Sequence, residues 1–150
     1  MCAGEHRLKA PASAEEWRTY HAIRRKVLFE NRGLIGVYDE HRPDELASGH
    51  YPLVLLHHGE PIGVIRIDID GEMAIFRRVA IRDDVQRCGH GKVMLALAEE
   101  FARSRGCSFV KSFVDPQAVG FYERCGFNHE NSTSTDGADA KHVPMYKKWG

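Results

Sequence analysis

Apolar residues recur at helical spacing through Trp17, Tyr20, Ile23, Val27 and Leu28, while Arg18, Arg24, Arg25 and Lys26 mark the opposite side. Ser13-Ala14-Glu15-Glu16 sets the start as a capping box, in which the serine oxygen and the third-position carboxylate satisfy free amides of the first turn. The spacing predicts an amphipathic helix from Ser13, with the basic cluster as its solvated face. Past Leu34 the periodicity fades into Gly, Asp, His and Pro up to Gly49, which reads as a loop with one short helix around Asp44 to Ala47.

Strand patterns follow. Leu53 to Leu56 is an apolar run, His58-Gly59-Glu60-Pro61 a turn, and Ile62 to Asp70 alternates Ile65, Ile67 and Ile69 against Arg66, Asp68 and Asp70. Asp70-Gly71 is a hairpin signal, and the next strand runs from about Met73 to Ile81. Helical spacing returns over Gly91 to Ser104 with Val93, Met94, Leu97, Ala98 and Phe101, and Gly106 stands just beyond as a C-cap. Phe109 to Val114 reads as a strand, Pro116 to Arg124 as a short helix ended by Gly126, Asn131 to Asp139 as a loop, and His142 to Lys148 as a last strand. With no internal repeat and no linker, one domain over residues 1–150 is expected.

Composition adds exclusions. A chain of 150 residues is long enough to bury roughly 70% of its surface. Its 21 basic and 21 acidic residues leave no basic excess of the kind that nucleic-acid or membrane binding requires. Residues Met1 to Ala10 lack the apolar run of a signal peptide, and no stretch approaches the ~20 apolar residues of a membrane span, so a cytosolic location is expected. The four cysteines, Cys2, Cys88, Cys107 and Cys125, form no Cys-x-x-Cys pair and have no His at zinc-ligand spacing, which predicts reduced thiols and no metal.

The chemistry concentrates where the strand ending at Ile81 passes through Arg82 to His90 into the helix from Gly91. A strand-loop-helix junction leaves backbone N–H groups unpaired at the positive end of the helix dipole. Gly89 and Gly91 would let backbone approach an anion without a Cβ in the way, and Arg87 and Lys92 add positive charge. The junction suits a phosphate, although Gly-x-Gly also occurs in plain strand-to-helix turns. No Gly-x-x-x-x-Gly-Lys-Ser/Thr and no third glycine are present, which sets aside a nucleotide-hydrolase loop and a dinucleotide fingerprint.

Gln86-Arg87-Cys88-Gly89-His90-Gly91 resembles the Gln/Arg-x-x-Gly-x-Gly/Ala motif of the Gcn5-related N-acetyltransferase (GNAT) family, after a strand ending Arg78-Val79-Ala80-Ile81. Phe121-Tyr122-Glu123-Arg124-Cys125-Gly126-Phe127 is similar to that family's Phe-Tyr-x-x-x-Gly-Phe segment, and Val143-Pro144-Met145-Tyr146-Lys147 to its closing strand. The resemblance covers about Ile62 to Lys148. It implies an α/β (α+β) fold: a mixed, twisted, mostly antiparallel sheet of about six to seven strands flanked by helices, with a splayed strand pair holding coenzyme A. It implies acetyl-CoA as co-substrate, bound by Val79, Ala80, Ile81, Gln86, Arg87, Cys88, Gly89, His90, Gly91, Lys92 and Tyr122, and a small-molecule or peptide amine as acceptor.

Tyr122 is implied as general acid toward the leaving thiolate, since a phenol pKa near ~10 lies close enough to a thiol pKa near ~8.5 to donate a hydrogen bond or proton. The base stays open among Glu72, Asp68, Asp70 and His41, with Glu72 the candidate carried forward. Ile75 stands where the histone-modifying branch has a glutamate, and Asp115 where many relatives have a cofactor-contacting asparagine. The acidic stretch from Tyr38 to Glu45 offers charge for a cationic acceptor. Apolar Val143, Met145, Tyr146 and Trp149 on a terminal strand suggest a homodimer. Two other readings keep the same fold: a non-catalytic acetyl-CoA-binding sensor, and transfer of another acyl group or to a hydroxyl.

Overall fold

A computed structural model describes residues 5–33, 48–129 and 142–149. His41, the acidic stretch, the short helix near Asp44 and the loop at 131–139 lie outside the described residues. The order is β1 (His6–Lys9), α1 (Ala14–Arg24), β2 (His50–His57), β3 (Glu60–Asp70), β4 (Met73–Ile81), α2 (His90–Ser104), β5 (Phe109–Val114), α3 (Val119–Arg124), β6 (Asn128–His129) and β7 (Val143–Lys148). Among the described residues these strands form one seven-stranded sheet, β1-β2-β3-β4-β5-β7-β6. Only β4 and β5 run parallel.

The capping box forms as its residues require. Ser13 Oγ accepts from the Glu16 amide at 3.1 Å, and Glu16 Oε1 accepts from the Ala12 and Ser13 amides. Lys9 Nζ sits 2.6 Å from the same carboxylate. Lys9 first, then the two amides, holds the Glu16 carboxyl down to about 2. The helix does not run evenly to Leu28, because Arg25–Phe29 widens into a π-helical stretch and a 3₁₀ turn follows to Gly33, whose φ of 79° ends it. The basic face is not wholly solvated either. Arg24 is 3% exposed and donates to the Tyr20 hydroxyl at 2.9 Å, with its guanidinium over the Tyr20 ring.

Each sheet face carries its own apolar cluster, as strand alternation demands. Tyr20 and Ile23 of α1 pack on Val54, Val64 and Ala80. On the other face Leu53, Leu55, Ile65, Ile67, Ala74 and Phe76 meet Met94, Leu95, Ala98 and Ala102 of α2. Burying one such Leu or Ile completely contributes roughly 1.5–3 kcal/mol. The polar positions of β3 are also covered: Asp68 takes both Arg66 (2.8 and 3.0 Å) and Arg77 (3.0 Å), which neutralises a carboxylate that burial would otherwise penalise.

Strand β7 is not an edge. It lies between β5 and β6, Met145 is fully buried, and Trp149 packs into the α2 cluster while its Nε1 donates to Glu99 at 2.8 Å. The apolar residues that suggested a homodimer are thus largely covered within the chain itself.

Candidate active site

The site is built on a separation of strands. Strands β4 and β5 pair from Met73↔Phe109 to Phe76↔Ser112 and no further, although β4 runs on to Ile81 and β5 to Val114. Just past the last rung β4 bulges: its register with β3 moves from Arg66↔Arg77 to Val64↔Ala80, and Arg78 takes φ 56°. An extra residue bends the bulged strand and increases its twist, which carries β4 away from β5. Val79, Ala80 and Ile81 therefore sit on the stretch of β4 that β5 leaves unpaired.

The chain turns back to α2 through a fastened loop. Arg82 donates to Asp84, to Glu60 at 2.8 Å and to the Pro61 carbonyl at 3.0 Å, and these carboxylates push its pKa up while Arg82 pulls Asp84 down. The Gln86 amide donates to the Ile81 carbonyl at 2.9 Å, tying the loop to the end of β4. Arg87 (φ 66°) and Gly89 (φ 85°) are both left-handed, and Gln86 to Gly89 are exposed. Gly89 is the N-cap of α2 and supplies no side chain, so the first-turn amides keep their capacity for another acceptor. With Arg87 and Lys92 beside them, the groups present fit a diphosphate.

The two glycines differ in role. A Cβ at Gly89 would meet nothing within 4 Å, whereas one at Gly91 would stand 3.1 Å from Cζ of Phe121. Gly91 is bare so that α3 can approach α2, and that contact links the loop to the next residue, Tyr122. The Tyr122 side chain is 6% exposed and edge-on to Phe127 at 5.2 Å, with Ser112, the last β5 residue paired to β4, close to its phenol. Its phenol thus stands where the strands part. Burial pushes its pKa up to about 12.

The base candidates among the described residues, Glu72, Asp70 and Asp68, are not brought to this place. Glu72 lies in the β3–β4 turn, where its carbonyl accepts from the Ser108 amide at 2.8 Å, and the strand rise puts it ~13 Å from Phe76. Asp70 is beside it at the same end, and Asp68 is engaged by two guanidinium groups. Asp115 caps the turn at Pro116–Ala118 through the Gln117 amide at 2.9 Å, a local task for a carboxylate. Cys88 is exposed at the loop.

His90 departs from expectation. It opens α2 directly after the exposed loop, but its side chain is 4% exposed and turns inward, where Nδ1 lies 2.9 Å from His6 Nε2 and the ring lies against His57. Burial lowers the pKa of His90 and of His57, where neighbouring imidazoles add to the effect. Sequence spacing missed this group because its members come from β1, β2 and α2.

Residues 13–127 match the family model described as the acetyltransferase (GNAT) family. A Bacillus subtilis protein named as an acetyltransferase is 29% identical over 122 residues, 80% of this chain and 82% of the relative. A crystal structure described as that of an N-acetyltransferase from Lactobacillus plantarum is similar at a TM-score of 0.77 and 28% identity, covering 95% of this chain and 97% of that one. The PaiA N-acetyltransferase of Thermoplasma acidophilum, in complex with coenzyme A, gives a TM-score of 0.73 at 18% identity over 97% and 99% of the two chains, a likeness of fold.

Proposed function

Because the chain belongs to the GNAT acetyltransferase family, we propose that it moves the acetyl group of acetyl-CoA to an amine by direct attack within a ternary complex. The observation that carries this reading is the parting of β4 and β5 beyond Phe76↔Ser112, with the Tyr122 phenol close to that rung. In this reading Val79 and Ile81 offer backbone groups to the pantetheine arm, and the amides from Arg87 to Lys92 hold the pyrophosphate. Acetyl-CoA would supply the activated thioester, and coenzyme A would leave as the thiolate. The amine nitrogen forms a bond to the carbonyl carbon, the C–S bond breaks, and the nitrogen loses a proton to solvent or to the acceptor's own surroundings.

Tyr122 would offer its hydroxyl to the departing sulfur. A phenol raised to about 12 is a weaker acid than a thiol of ~8.5, so full proton transfer to the thiolate runs uphill. Its role is then a hydrogen-bond donor that strengthens as charge collects on sulfur. A panel of amines, from polyamines to peptide N-termini, with release of free coenzyme A thiol as readout, tests the assignment. Turnover with at least one amine is expected. Tight acetyl-CoA binding with no thiol release across the panel, and none with alcohols or other acyl donors, would favour a sensor instead.

A further inference from the structure

Three histidines far apart in sequence meet behind the loop that opens α2. Strand β1 pairs with β2 in the register His6↔His57, so the two imidazoles lie side by side with centroids 4.3 Å apart. His90, 84 positions from His6 and the first residue of α2, closes the group, with centroids 5.2 Å from His6 and 4.8 Å from His57. One ring nitrogen from each falls within 4.8 Å of the others. His6 and His90 share a hydrogen bond, but His57 Nε2 is buried with no hydrogen-bond partner. A buried nitrogen left unsatisfied costs about 1–3 kcal/mol and calls for an explanation.

We propose that His6, His57 and His90 form a binding site for a divalent late transition metal, zinc by preference, with water as the remaining ligand. Imidazole nitrogens suit zinc, nickel and copper, whereas magnesium and calcium take oxygens, and no carboxylate belongs to the group. Two nitrogens on one tetrahedral zinc stand ~3.3 Å apart, given Zn–N bonds of ~2.0–2.1 Å. The His6–His90 pair must therefore open from 2.9 Å by about 0.4 Å and the widest pair close from 4.8 Å by about 1.5 Å, and the stacked His6 and His57 rings must turn out of their parallel arrangement so that both in-plane lone pairs meet the metal. Coordination gives the orphaned His57 nitrogen its partner and ties edge strand β1 to the first residue of α2. The metal is thus a clamp on the helix start, and its binding does not depend on acetyl transfer.

The test uses the full chain stripped with chelator, then dialysed against zinc, with cobalt as a spectroscopic stand-in. One equivalent of zinc, visible d–d bands of tetrahedral cobalt, and a melting temperature raised by roughly 5–10 °C at about 100 Kd of free zinc are expected. His6→Ala and His57→Ala should each weaken binding at least tenfold, while His129→Ala, at an exposed site, should bind as the parent does. Should His57→Ala fail to fold, His6→Ala on the edge strand decides the matter. Less than half an equivalent at about 0.1 mM free zinc, a scale far above typical zinc-site affinities, or undiminished binding by His6→Ala, overturns the proposal.

Discussion

At the Met73 end, β4 and β5 satisfy each other: the ladder is closed from Met73↔Phe109 to Phe76↔Ser112, and the Glu72 carbonyl takes the Ser108 amide beyond it. At the Ile81 end the same two strands have parted, β4 is bulged at Arg78, and the chain leads on to a helix start with no side-chain cap. Buried backbone groups are almost always paired, so the contrast separates scaffold from site. The closed end is finished by the chain's own groups, and the open end is where a ligand's polar groups would complete the pairing. Tyr122 lies near the boundary and is packed like scaffold, buried against Phe127.

The sharpest way to probe that boundary is Tyr122→Phe. The ring keeps its packing against Phe127, Ser112 Oγ keeps the Phe76 carbonyl at 3.3 Å, and the substitution removes the phenol hydroxyl alone, the group proposed to donate to sulfur. A fall in kcat of about 100-fold, about 2.7 kcal/mol, is expected with little change in acetyl-CoA affinity. Unchanged kcat at saturating substrates would remove Tyr122 from the chemistry and make it part of the closed scaffold.

Gly91→Val comes next. Its Cβ alone would sit 3.1 Å from Phe121, so Phe121 must shift and carry Tyr122 with it. Overpacking of this kind costs about 1–3 kcal/mol, and kcat should fall about tenfold, or ~1.4 kcal/mol of barrier. This is a second route to lost activity beside the expulsion of a phosphate by a side chain at 91. Thermal melting and steady-state kinetics on one preparation separate the two. Normal stability with a selective loss of coenzyme A affinity would restore the phosphate role for Gly91.

What the sequence made legible was local. The capping box, the span of β5 and the strand-loop-glycine-helix junction each lie within a short stretch whose propensities agree with the fold. What it hid was tertiary. His6-Arg7-Leu8-Lys9 has no apolar alternation to announce β1, which exists because β2 offers an edge, and β6 is only Asn128–His129. Arg24 reads as a surface cation until the Tyr20 hydroxyl and ring are seen around it. The histidine cluster has no spacing signature at all.

The smallest expected effect tests the closed end. Glu72 is the candidate base carried forward from four, yet strand direction places it at the far end of β4 from the loop. Its side chain is exposed, and its structural bond to Ser108 runs through the backbone carbonyl, which substitution leaves in place. Glu72→Gln keeps size and polarity and removes only the charge. A surface change of this kind shifts stability within about 0.5 kcal/mol, and a group ~13 Å from the last rung is beyond hydrogen-bond reach of an amine at Tyr122. The expected result is kcat within twofold of the parent across the pH range, about 0.4 kcal/mol of barrier at most. A loss of tenfold or more that higher pH rescues, where the acceptor amine is already deprotonated, would identify Glu72 as the base and would mean that the acceptor reaches the end of β4 that its own backbone has closed.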